Sequence, residues 1–224
     1  MKKTIALFFA SLVLATSAFA DSLPFPMTVA IKGGGLVPLS DNVTDIYSDV
    51  FPLVELEVST VWNCHWKPWM NVGYTWDSGH SVCEGDEDHS DGLHLCHNKT
   101  DIRVIPLSFG VDYMVYSICD IDFHVGAGAS YSWLKIHDKS PYVHQHIDKG
   151  AWGAIARASA VYNWCNCLFV EGFLNYSYTN FEFRNHHRHS NSDVVTDGDI
   201  CPYTERHDLN FSNLQFGIGL GYTF

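Results

Sequence analysis

Asn213-Leu214-Gln215-Phe216-Gly217-Ile218-Gly219-Leu220-Gly221-Tyr222-Thr223-Phe224 closes the chain. Leu214, Phe216, Ile218, Leu220, Tyr222 and Phe224 are apolar or aromatic, and the six residues between and before them are small or polar. Successive side chains of a strand point to opposite faces, so this period of two makes one apolar face and one polar or empty face. A strand buried between two apolar layers would be apolar throughout. Here the second face must look at something wet or narrow.

The same alternation recurs upstream. Segments 28–36, 53–62, 69–76, 102–116, 121–134, 151–162, 168–183 and 209–224 read as strands. In the fifth, Phe123, Val125, Ala127, Ala129, Tyr131 and Trp133 share one face, with His124, Gly126, Gly128, Ser130 and Ser132 on the other. In the sixth, Trp152, Ala154, Ala156, Ala158, Ala160 and Tyr162 oppose a face containing Gly153, Arg157 and Ser159. Eight is an even number, as an up-and-down barrel with both ends on one side requires. The connections alternate as well: 63–68, 117–120 and 163–167 are short, while 37–52, 77–101, 135–150 and 184–208 are long. Short turns at one end and long loops at the other are expected of an outer-membrane barrel whose turns are periplasmic. Trp62, Tyr116 and Tyr162 near the short turns, and Trp76, Trp133, Trp152 and Tyr178 near the long loops, read as two interfacial belts.

On these residues the chain resembles the small eight-stranded outer-membrane β-barrels of the OmpW, OmpX and opacity-protein type. The stretches that carry the resemblance are the terminal strand, Ile105-Pro106-Leu107-Ser108-Phe109-Gly110-Val111 and Val125-Gly126-Ala127-Gly128-Ala129. It implies an all-β, antiparallel up-and-down transmembrane barrel in the cell outer membrane, surrounded by lipid. It also implies that Phe216, Ile218, Leu220, Tyr222 and the terminal Phe224 form the signal read by the barrel-assembly machinery. The seven cysteines depart from that family.

The start of the chain agrees with export. Lys2 and Lys3 precede an apolar run over 5–15, and Ala18-Phe19-Ala20 supplies the small residues that a signal peptidase accepts. A signal peptide over 1–20 and a barrel over 21–224 are expected. The balance of 13 basic against 25 acidic residues sets nucleic acid aside as a partner, because phosphate binding rests on clustered cations.

Inward positions in this register include Lys32, Glu55, Glu57, Asn71, Asp112, His124, Arg157, Glu171, Asn175 and Gln215. An eight-stranded barrel is just wide enough for its side chains to fill. The expectation is a plugged lumen in which Lys32 and Arg157 pair with Glu55, Glu57, Asp112 and Glu171. A narrow channel for small or apolar solutes is the alternative. A soluble lipocalin-type barrel would place apolar residues inside, the reverse of this register. No catalytic residues are assigned: Ser130 and Ser132 lie too far along the strand from His124 to be activated by it, and the chain is not expected to be an enzyme.

All seven cysteines fall in turns or loops of this reading. An oxidising exported compartment favours pairing. Cys64, Cys119, Cys165 and Cys167 sit in short turns, where they would staple the turns, cross-link to other envelope proteins or, as thiolates, hold zinc. Cys83 and Cys96 enclose a short stretch and form a candidate pair, leaving Cys201 over. All but two of the 13 histidines lie in long loops. His89, His94, His97, His144, His146, His187 and His189 are candidate ligands for zinc or another divalent metal, since imidazole with carboxylate suits such ions. No other cofactor is expected. The function read from these features is a structural or adhesion-like surface role carried by acidic, disulfide-tied loops, with metal capture as a further alternative.

Overall fold

The computed structural model describes residues 26–44, 47–63, 65–83, 96–139, 146–164, 167–181 and 209–224. Eight long antiparallel strands run in chain order: β1 (Met27–Pro38), β2 (Phe51–Thr60), β3 (Trp66–Cys83), β4 (Cys96–Ile118), β5 (Ile121–Lys139), β6 (His146–Asn163), β7 (Leu168–Phe181) and β8 (Asn213–Thr223). Each pairs with its sequence neighbours, and β1 pairs with β8, which closes the sheet into a barrel. The alternation is borne out. Ile31, Val54, Met70, Phe109, Val125, Leu174, Ile218 and Leu220 are exposed on the outer wall, while Lys32, Glu57, Asp112, Arg157 and Glu171 are buried inside. All seven aromatic residues assigned to the two belts are also exposed. So continuous an apolar exterior is stable only in lipid, and closure leaves no strand edge there with unpaired backbone groups.

The strands depart from the expected bounds where hydrophobic alternation stops. A membrane crossing takes about 9–11 residues of strand, but β4 has 23 and β5 has 19. The stretches 77–101 and 135–150, expected as loops, are strand throughout their described residues: β3 continues to Cys83 and β4 begins at Cys96, while β5 continues to Lys139 and β6 begins at His146. Above the membrane both faces are wet, so ladder hydrogen bonds persist without any apolar period to reveal them. At the opposite end, the β4–β5 turn is only Cys119 and Asp120, with Cys119 at a left-handed φ of 53°.

The last segment, expected as one strand over 209–224, is interrupted. Leu209–Asn210 pairs with the end of β7. The Asn210 side-chain oxygen then accepts from the Ser212 backbone N–H at 3.0 Å and the Ser212 hydroxyl at 2.6 Å, a local Asx arrangement. The interruption accompanies burial of the Phe211 ring in the outer end of the lumen. There it packs with Phe51, Phe181, Leu36, Leu53, Ile102, Val104, Leu134 and Val43. Val43 belongs to a four-residue helix, Asp41–Thr44, inside the connection 37–52 that was expected to be loop. The lumen is therefore polar only over part of its length and ends outward in an apolar cap.

Candidate functional site

Below the cap, six strands deliver charged side chains to one point. Lys32 of β1 donates to Glu57 of β2 at 2.7 Å and to Glu171 of β7 at 2.9 Å. Arg157 of β6 donates through Nη1 to Glu57 at 2.9 Å and through Nη2 to Glu171 at 3.1 Å. Its Nε lies 3.3 Å from Asp112 Oδ2 on β4. A third base, Lys67 of β3, stands 3.6 Å from Glu57 and 3.9 Å from Glu171. Such ions tolerate burial only when paired and hydrogen-bonded.

Glycine makes these meetings possible. Asp112 and Arg157 flank Gly126 on β5, in register with both. A Cβ on Gly126 would fall 2.0 Å from Asp112 Oδ1, so only glycine leaves that carboxylate its place. Lys32 and Glu171 likewise flank Gly219 of β8, where a Cβ would lie 2.8 Å from Lys32 Cγ. Acid, glycine and base on three successive strands is thus a device used twice. It gives a structural meaning to the empty face of the terminal strand. Gly110 serves Trp69 in the same way, since a Cβ there would fall 2.7 Å from its indole. The Trp69 Nε1–H donates to Asp112 at 2.7 Å, and the Arg157 guanidinium lies 4.4 Å from the Trp69 ring centroid.

Of the expected lumen ion pairs, Lys32, Glu57, Asp112, Arg157 and Glu171 are brought together. Glu55 is the correction. It faces the lumen and is buried, but among the described residues it forms neither a hydrogen bond nor an ion pair. Lys32, its partner in the β1–β2 register, turns instead to Glu57 and Glu171. Lys67 was missed because 63–68 read as a turn. The signal was the alternation of Lys67, Trp69 and Asn71, which extends the inward face of β3 by one step. At the periplasmic mouth a cavity of about 200 Å³ is lined by Lys67, His124, Asp122 and Asn163, among others.

The cysteine and histidine candidates distribute as follows. Cys119 and Cys167 are exposed at periplasmic turns and have no disulfide partner among the described residues. Cys83 and Cys96 stand opposite one another in the β3–β4 ladder. Cys64, Cys165 and Cys201 lie outside the described residues, as do His89, His94, His144, His187, His189 and the expected signal peptide 1–20. His97 pairs in register with Val82, and His146 with His137. Among the described residues no group of three or more His, Cys, Asp or Glu is placed to hold a metal. Of the residues expected to form an assembly signal, Phe216, Ile218, Leu220 and Tyr222 all face outward. Phe224 donates its N–H to the Met27 carbonyl at 2.9 Å and sets its ring edge-on to Tyr222.

Barrel closure, the lipid-facing band and the filled lumen define the class: an eight-stranded outer-membrane β-barrel protein. Solved structures of that kind share the fold. Neisserial surface protein A is 9% identical, with 89% of this chain and 97% of that one covered, at a TM-score of 0.51. A major outer membrane protein from Thermus thermophilus is 11% identical, with 90% of this chain and 100% of that one covered, also at a TM-score of 0.51. No family model matches the sequence, and no curated protein does.

Proposed function

We propose that this barrel is a structural and surface-interaction protein whose working parts are its outer hairpins, and that it neither conducts solute as a pore nor catalyses a reaction. The filled lumen carries this reading. The ion cluster ties side chains of six strands together across it, and the apolar cap of Phe51, Phe181 and Phe211 lies at the outer end. The β3–β4 and β5–β6 hairpins rise beyond the length a membrane needs and present polar strands to the exterior. Refolded protein in planar bilayers should give no steady conductance. Replacing segments 78–100 and 137–148 by short turns should abolish binding of whole cells to host or abiotic surfaces while leaving the barrel folded. Steady wild-type conductance, or undiminished binding by the shortened barrel, would refute the reading.

A disulfide between Cys83 and Cys96 belongs to the same proposal. Opposed residues of an antiparallel ladder have Cα atoms about 4.5–5.5 Å apart, inside the range a disulfide spans. Oxidation by a disulfide-bearing exchange partner of the exported compartment would lock the tip of the hairpin, worth roughly 3 kcal/mol on the loop-entropy view. Peptide mapping without reductant should recover the two cysteines in one linked fragment. Recovery as separate thiol peptides would count against the bond.

A further inference from the structure

Among the described residues, the buried ions of the lumen number one more acid than base. Lys32, Lys67 and Arg157 are all committed to Glu57, Glu171 and Asp112. Glu55 is left over, only 3% exposed, with an Oε2 that meets no hydrogen-bond donor among the described residues. A buried carboxylate is stable when something neutralises it.

The surroundings of Glu55 specify what could do so. On the neighbouring strand Thr75 lies two residues beyond Gly73, on the same inward face, and its buried Oγ1 is likewise unpartnered. Gly73 carries no side chain, and the Pro106 ring and the Glu55 stem border its vacant Cβ position at 2.9 and 3.5 Å. Proline brings no N–H to the ladder, and the β3–β4 pairing stops at Val72↔Leu107 and resumes at Thr75↔Val104. The two unpartnered atoms beside the empty Gly73 position, Glu55 Oε2 and Thr75 Oγ1, are both oxygens. Oxygen ligands suit a hard cation, and Glu55 stands on β2 between Leu53 of the apolar cap and Glu57 of the ion cluster.

We propose that Glu55 binds one exchangeable monovalent positive charge, a proton or an alkali-metal ion, beside Thr75 and the empty Gly73 position of the lumen. The refolded full-length chain in detergent micelles tests it at neutral pH, with Glu55→Gln as the comparison. Two measurements are made: the infrared carbonyl band of a protonated carboxyl, and Tm in sodium chloride against choline chloride at equal ionic strength. If a proton is the occupant, the wild type shows the band, Glu55→Gln lacks it, and Tm is the same in both salts. If an alkali ion is the occupant, the band is absent and Tm is higher by a few degrees in sodium chloride, a difference that Glu55→Gln abolishes, because a ligand stabilises the state that binds it. A wild type with no such band and equal Tm in the two salts overturns the proposal. Should Glu55→Gln fail to refold, Glu55→Asp replaces it: the band must shift, or the sodium dependence weaken, and no change in either overturns the assignment.

Discussion

Replacing Arg157 with Met should destabilise the barrel by about 4 kcal/mol, the middle of the range for removing one partner from a buried ionic network. The structure says where that cost falls. Glu57 and Glu171 keep Lys32 at 2.7 and 2.9 Å and Lys67 at longer range. Asp112 is left with the Trp69 indole N–H and, among the described residues, no direct ion pair, its nearest base being Lys67 across the β3–β4 register. Met fills most of the vacated volume, so the effect is electrostatic rather than a cavity. At about 1.4 kcal/mol per decade, the unfolding equilibrium should shift roughly a thousandfold. Adding Asp112→Asn removes the stranded charge while keeping an oxygen for Trp69, and should recover about half of the loss. The resulting double-mutant cycle should show coupling of about 2 kcal/mol, within the range for residues in one network. Reversible urea unfolding in lipid vesicles, followed by tryptophan fluorescence, measures all four proteins. If Arg157→Met stays within about 1 kcal/mol of wild type, or Asp112→Asn brings no relief, the network is not what holds the lumen together.

An inward and an outward glycine should behave oppositely. At Gly128 a Cβ would meet the Phe109 carbonyl oxygen at 2.2 Å, whereas at Gly172 it meets nothing within 4 Å. Gly128→Ala should therefore cost about 1–3 kcal/mol by overpacking, and Gly172→Ala should leave the urea midpoint unchanged. Truncating the cap with Phe51→Ala should cost about 3–5 kcal/mol and produce intermittent conductance in planar bilayers; a silent variant would mean that the ion cluster alone closes the lumen. Deleting Phe224 removes its hydrogen bond to Met27 and its contact with Tyr222. Pulse-chase analysis should show slower membrane assembly, and wild-type kinetics would argue against a terminal-residue signal.

How far the sequence could be read depended on how far lipid enforced the pattern. Inside the membrane every second side chain must be apolar, so strand number, facing and the burial of Lys32, Glu57, Asp112, Arg157 and Glu171 followed from alternation alone. Where the strands leave the lipid, that requirement lapses. The outer parts of β3, β4, β5 and β6 consequently looked like loop although they are paired strand. Lys67 was lost for a related reason: it follows directly on a tight turn, and reading that turn as far as Pro68 cuts off its alternation with Trp69 and Asn71.

The sequence by itself determined an eight-stranded antiparallel barrel, its inward and outward faces and the end that carries short turns, because period two and loop length are local properties. Which lumen acid meets which base was decided only in three dimensions. Those distances depend on the stagger between strands far apart in the chain, such as Lys32 and Glu171, and on the glycines that stand between them. The same stagger commits Lys32, Lys67 and Arg157 elsewhere and leaves Glu55 alone. A list of inward-facing charges contains no such preference, since pairing is a matter of ångströms between side chains and not of which face they share.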